Sequence, residues 1–330
     1  MNRGRFLWFG GLPGALLVCI ALSVSIGVRR VGLPDILAGL GGSTENIGRA
    51  AVVKRVPRTF MAALAGAALG VSGVLMQGVT RNPLADPGIL GVNSGAAFAV
   101  TLGIAYFDMA ASYTYVWTAI GGAAAATILV YLIGSLGVGG AAPLKLALAG
   151  TAASVCLSSL ITAVLLPRND IAGAVRYWLV GGVGGVTSDR IALVLPFIIA
   201  GFVIGFLGSG ALNSLALGDE LGASLGENVL AARIVCTIGA VMLCGAATAV
   251  CGPIGFVGLA VPHVGRMLIG LDHRRLMPFA AFAGALLLTA ADILGRVIAR
   301  PGEMEVGIVT AFFGAPVFIW IVRKHKVREL

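Results

Sequence analysis

Charge is scarce in this chain. Asp, Glu, Lys and Arg together supply 11% of its 330 residues, where a soluble domain carries about 25%. Mean hydropathy is +0.99, and the two figures together exclude a water-soluble fold. No G-x-x-x-x-G-K-[ST] segment occurs, so nucleotide binding through a P-loop is excluded. No Ser-His-Asp or metal-ligand constellation is visible, and His263 and His273 stand far in sequence from any other candidate ligand. The five cysteines, Cys19, Cys156, Cys236, Cys244 and Cys251, lie in or at the edge of apolar runs without a C-x-x-C pair. They read as small buried hydrophobes, not as a disulfide frame or a metal site. The absence of a G-X-Y period excludes a collagen-like chain. Nothing here points to an enzyme, a resident cofactor or a metal.

What the sequence has in abundance is apolar length and glycine: 58% hydrophobic residues and 49 glycines, with aromatics at only 7%. Small residues let membrane helices approach closely. Runs long enough to cross a bilayer, about 17–25 residues, fall at Phe6–Gly27, Thr59–Val79, Ile89–Phe107, Tyr115–Leu136, Leu144–Leu166, Ile191–Leu207, Ile234–Val250, Ile254–Ile269, Pro278–Leu294 and Val306–Val322. The fold class expected is an all-α polytopic membrane protein with about ten transmembrane helices in one domain over residues 1–330. Strands are not expected, because the runs are continuous and do not alternate. The first run exceeds the roughly 7–15 residues of a signal-peptide core, so it reads as an uncleaved helix. The eighth is short and follows Gly252-Pro253, which predicts a broken or tilted crossing.

The net charge of +9 is not a nucleic-acid footprint, since Lys and Arg sit between apolar runs and not along one soluble face. Ten crossings put both termini on one side, and the basic start and the RKHKVREL tail favour the cytoplasm. The 23 Lys and Arg divide almost evenly between the two sides, so the positive-inside rule does not itself orient the chain. Basic residues on the outer side could receive an acidic partner. Three connections are more than turns. Val28–Arg58 is expected as a long outer loop with a short amphipathic piece at Pro34–Leu40. Pro167–Arg190 carries Arg176-Tyr177-Trp178, an interfacial anchor pattern. Gly208–Asn228 is expected as the long inner loop, with Leu215, Leu217, Leu221 and Leu225 spaced to pack on lipid headgroups or on a cytoplasmic protein.

The chain is organised around Lys54–Gly95. Ala62, Gly66 and Gly70 fall four apart and make a small-residue face on the second span. Pro83 and Pro87 remove two backbone donors and bias Asn82 and Asp86 away from the α region, which predicts a stiff turn. Asp292 and Arg296, four apart near the outer end of the ninth span, can pair along one helix face.

These motifs resemble those of the binding-protein-dependent iron-chelate, haem and cobalamin permeases, the FecCD-type subunits of ABC importers. The resemblance rests on RVPRTFMAALAGAALGVSGVLMQGVTRNPLADPGILGVNSGA and then, in order, LGDELGASLGENV, GPIGFVGLAVPHVGRMLIGLDHRRLMP and ADILGRVIARPGEMEVGIVTAFFGAPVFIWIVRK. It implies a type II importer architecture like that of the vitamin B12 importer, multi-pass in the inner membrane of a bacterium. The implied partners are a second permease (the same chain or a paralogue), two ATPase subunits that use the ATP, a substrate-binding protein, and membrane lipid. Carried over residue by residue, it implies docking of the binding protein at Arg55, Arg58 and Arg296. It implies ATPase coupling through Leu217, Gly218, Asp219, Glu220, Leu221, Ser224, Leu225 and Gly226. It implies a cytoplasmic gate at Asn82, Pro83 and Leu84 with a second segment at Ala142, Pro143 and Leu144, where the hydroxylated residues of the vitamin B12 importer are replaced. Arg300-Pro301-Gly302-Glu303 resembles the ferric-siderophore members more than the haem or cobalamin members. A secondary transporter driven by protons or sodium is the competing class. Against it, the spans hold almost no carboxylates to relay protons.

Overall fold

The computed structural model describes residues 3–28, 31–109, 112–136 and 143–324. Among these, thirteen α-helices form without a strand: α1 Arg3–Ser25, α2 Leu33–Leu40, α3 Ile47–Thr80, α4 Val92–Phe107, α5 Ser112–Ser135, α6 Pro143–Leu165, α7 Asn169–Val180, α8 Ser188–Leu215, α9 Asp219–Ser224, α10 Val229–Cys251, α11 Val257–Ile269, α12 His273–Ile298 and α13 Val306–Lys324. Each of the ten apolar runs becomes one of α1, α3, α4, α5, α6, α8, α10, α11, α12 and α13. Six of these (α3, α5, α6, α8, α10 and α12) are long and apolar enough to cross a membrane; the other four hold shorter apolar helices.

The core is built on α3. Its apolar window is 78% buried, against 11% for α6. Glycine explains how so many helices reach it. A Cβ at Gly66 would lie 2.2 Å from the carbonyl oxygen of Gly284 on α12, and one at Gly73 would lie 1.9 Å from that of Gly258 on α11. Such backbone approach is what small-residue faces permit. On another face of α3, Ser72 Oγ donates to the Ala240 carbonyl of α10 at 2.7 Å. The Gly66 and Gly70 face expected from the sequence is therefore the seam with α12.

Two expected boundaries move. Arg49 to Arg58 is not loop: α3 starts at Ile47, capped by the Asn46 side chain, which accepts from the Arg49 N–H at 2.8 Å. Lys54, Arg55 and Arg58 interrupt the apolar run without interrupting the helix, and Pro57 is accommodated inside it. On the other side of the chain, α8 continues to Leu215, so residues 208–215 are helical. The inner connection is reduced to 216–228, with α9 inside it. The short eighth run is α11, only 13 residues long. It is preceded by an irregular segment in which Gly252 and Phe256 hold left-handed φ values of 69°. The start of that segment packs against the end of α7: Gly182 N–H donates to the Cys251 carbonyl at 2.7 Å, and Gly252 lies against Trp178 and Gly181. Irregular backbone near membrane depth is tolerated where protein covers it.

Candidate functional site

Polar side chains concentrate at the two ends of α3. At the N-terminal end, Asp292 of α12 is 1% exposed and takes two arginines. Arg58 donates to it from Nε at 3.0 Å and from Nη2 at 2.7 Å. Arg296, one helical turn further along α12, pairs with it at 2.9 Å. The Asp292 and Arg296 pairing expected from spacing is present, but the tie to α3 lies 234 residues away in sequence, and no local pattern announced it. Arg58 also holds Glu303, on the α12–α13 connection, at 2.5 Å.

The C-terminal end of α1 is closed by the same arginines. Arg296 donates to the carbonyls of Ser23 and Ile26 and to Ser23 Oγ, at 2.9, 3.0 and 2.6 Å. Arg55 reaches the carbonyls of Val24 and Ser25 at 3.1 and 3.0 Å, and Arg300 that of Gly27 at 2.6 Å. Terminal carbonyls have no partner within their own helix, and the negative end of the helix dipole favours cations. Three arginines therefore serve as a collective cap.

The three arginines expected at a docking surface are not displayed as free side chains. Arg55 and Arg58 are 8% exposed and Arg296 1%, because each satisfies internal carbonyls or carboxylates. They line a recess of about 380 Å³ together with Lys54, Gly184 and Glu303. Lys54 is exposed. Beside the recess, the Tyr177 hydroxyl of α7 bonds Glu305. That bond, then burial and the Glu305 charge, push the phenol up to about 12.

At the C-terminal end of α3, Arg81 adopts a left-handed conformation (φ 49°) that stops the helix. The Asn82–Pro87 turn follows and is stiffened twice. Asn82 Oδ1 accepts from the Leu84 N–H at 2.9 Å, and Asp86 Oδ1 accepts from Gly88 N–H at 2.8 Å. The latter caps a 3-10 turn at Pro87–Leu90. Asn82 and Leu84 are exposed and Pro83 is buried. Of the second gate segment, Ala142 lies outside the described residues. Pro143 opens α6, where its missing N–H costs nothing, and Leu144 is 72% exposed. The turn meets α6 at Gly150, whose Cβ would fall 1.6 Å from the Ile89 carbonyl oxygen.

On the same side, α9 and the residues flanking it present Leu217, Leu221 and Leu225, which are 58%, 58% and 64% exposed. Gly218 and Gly226, at φ 112° and 89°, bracket it in conformations other residues rarely adopt. Glu220 and Ser224 are exposed as well, and Gly222 is buried against Ser214. Asp219 does not face outward alone. It pairs with Arg233 of α10 at 2.8 Å and with Arg81. No local spacing pairs Asp219 with either arginine; the available signal is a basic residue just before the Asn-Pro turn and an acidic one opening the inner helix. His273 joins a cap. Its backbone N–H and Nδ1 both donate to Asn213 Oδ1, at 2.9 and 2.8 Å, and Asn213 Nδ2 donates to Asp272 at 2.8 Å. No metal-binding group of His, Cys, Asp or Glu occurs among the described residues.

Residues 15–324 match the model of the FecCD transport family. The chain is 42% identical over 318 residues to the ferric enterobactin transport system permease protein FepD of Escherichia coli K12, covering 95% of each chain. It is 41% identical over 310 residues to the Fe(3+)-citrate import system permease protein YfmD of Bacillus subtilis 168, covering 93% of this chain and 91% of the relative. Its fold matches a solved structure described as an inward-facing conformation of a metal-chelate type ABC transporter. The TM-score is 0.85 at 28% identity, over 97% of this chain and all of the other.

Proposed function

This chain belongs to the FecCD transport family, and from that premise we propose that it carries a ferric siderophore across the cytoplasmic membrane as the permease subunit of an ATP-driven importer. Two relatives above 40% identity are named for ferric enterobactin and ferric citrate, which favours an iron chelate over haem or cobalamin. The observation that carries the mechanism is that one helix connects two unlike polar surfaces. From Arg58 to Arg81, α3 spans about 35 Å at 1.5 Å per residue, slightly more than the roughly 30 Å hydrocarbon core.

The recess at Lys54, Arg55 and Arg58 is basic and receives an acidic side chain of a substrate-binding protein. Arg296 supports it from beneath by fixing Asp292 and the end of α1. At the other end, α9 offers an apolar face to an ATPase subunit, and the Asn82–Leu84 turn with Pro143 and Leu144 closes the path on the cytoplasmic side. Both termini then lie in the cytoplasm. A second permease, the same chain or a paralogue, completes the path, and ATP is consumed on two separate ATPase subunits.

The test is uptake into proteoliposomes holding the assembled complex, with the binding protein loaded in turn with a ferric catecholate, ferric citrate, haem or cobalamin. Uptake of a ferric chelate with exclusion of haem and cobalamin is the expected result. Transport of haem or cobalamin alone overturns the substrate assignment.

A further inference from the structure

The Asp219 carboxylate opens α9 and is shared by two arginines from different parts of the fold. Arg233, on α10, ties α9 to the next helix in sequence, at 2.8 and 3.0 Å. Arg81 is different. It is the cap of α3, and the residue after it is Asn82, where the stiff turn begins. Otherwise α9 packs on α8 and α10, the helices that flank it in the chain.

We propose that the Arg81–Asp219 ion pair is the strut that carries displacement of α9 to the Asn82–Pro87 turn. The proposal rests on the reading of α9 as the surface an ATPase subunit engages. A strut transmits motion only if both of its ends are stiff, and here both are. Arg81 is fixed by its left-handed cap, by the Asn82 and Asp86 side-chain bonds, and by Pro83 and Pro87. Asp219 is fixed by Arg233 at the start of a helix bracketed by two left-handed glycines. The contact also brings opposite charges together. Arg81 and Arg233 repel one another, and burial followed by the charge of Arg233 disfavours the Arg81 cation. Asp219 is the carboxylate that both arginines face, so parting α9 from Arg81 leaves a largely shielded guanidinium, 26% exposed at its side chain, facing a like charge. The turn therefore follows α9. Arg81 is a positioning residue in this scheme: it touches neither nucleotide nor chelate.

The experiment uses the complete complex in proteoliposomes; transport and hydrolysis are read on the unlabelled chain, and a spin label at Leu84→Cys on a Cys156→Ser background serves the distance measurement alone. It reads co-purification of the ATPase subunits, ATP hydrolysis, chelate transported per ATP, and the ATP-driven change in the label–label distance. Arg81→Gln is expected to keep the ATPase subunits bound and hydrolysing. Transport per ATP should fall roughly tenfold, a coupling loss of the usual size, and the label displacement should disappear. Arg81→Lys should restore most of both, and Arg233→Gln should cost less than Arg81→Gln. Unchanged transport per ATP in Arg81→Gln, or an equal loss in Arg233→Gln, overturns the strut while leaving the importer reading intact. Failure of the unaltered chain to retain ATPase subunits overturns the reading of α9, and the strut with it.

Discussion

Asp292 shows how much one side chain can hold. It is buried, bidentate to Arg58 on α3 and paired with Arg296 on its own helix. Removing one partner of a buried ion pair costs about 3–5 kcal/mol, because the remaining charge is left uncompensated. Asp292→Ala strands two guanidiniums, so a loss at the upper end of that range is expected, read as a fall in midpoint in detergent thermal unfolding. Spacing revealed the Arg296 half of this cluster and could not reveal the Arg58 half, since helix packing brings the two together. At the start of α12, Asp272 is held below the usual carboxylate range. The Asn213 hydrogen bond contributes most, outweighing partial burial, with the Arg274 N–H and the charges of Arg275 and Arg274 assisting. A depressed pKa adds stability that is present above the ordinary value of 3.8 and lost as pH falls through the lower folded value. Asp272→Ala is expected to lose about 1 kcal/mol of cap and to remove that acid-range dependence, which unfolding curves between neutral and acid pH would read.

Among the helices, α3 is the informative one. Its apolar stretch, its small-residue face and the breaking turn after it were all legible, because periodicity and proline chemistry are local. Its true start was not, because Lys54, Arg55 and Arg58 lower hydropathy without disturbing helical geometry. A Cβ at Gly73 has no room against the Gly258 carbonyl. Gly73→Ala must therefore push α3 and α11 apart, at an expected cost of about 1–3 kcal/mol for overpacking, measurable by the same unfolding assay. Gly218→Ala meets no neighbour, so any cost there comes from its left-handed backbone alone. On α9, the exposed leucines are predicted to matter for partnership and not for folding. Leu221→Asp should leave the thermal midpoint unchanged and weaken ATPase association, checked by co-purification from detergent. Spacing had shown the leucines; that Asp219 is tied to Arg81 and Arg233 emerged only with the packed helices.

At the scale of the molecule, the two ends of α3 divide the labour. The recess at the N-terminal end of α3 is lined by Lys54, Glu303 and arginines that are engaged internally, so the proposed docking would work through that opening and not through a flat charged patch. A contact of that kind weakens with salt. Lys54→Glu is expected to lower binding-protein affinity and to flatten its salt dependence, as titrations at two ionic strengths would show. The largely exposed α6, with its apolar window only 11% buried, fits a chain that completes its path against a second permease. Under the proposed function, ATP hydrolysis on separate subunits drives import through this chain. The most direct test is radio-iron chelate uptake into proteoliposomes with the ATPase subunits, the binding protein and ATP each omitted in turn, at zero ion gradient. Uptake is expected only when all three are present. Full-rate uptake without the ATPase subunits, driven by an imposed proton or sodium gradient, would contradict the proposed function.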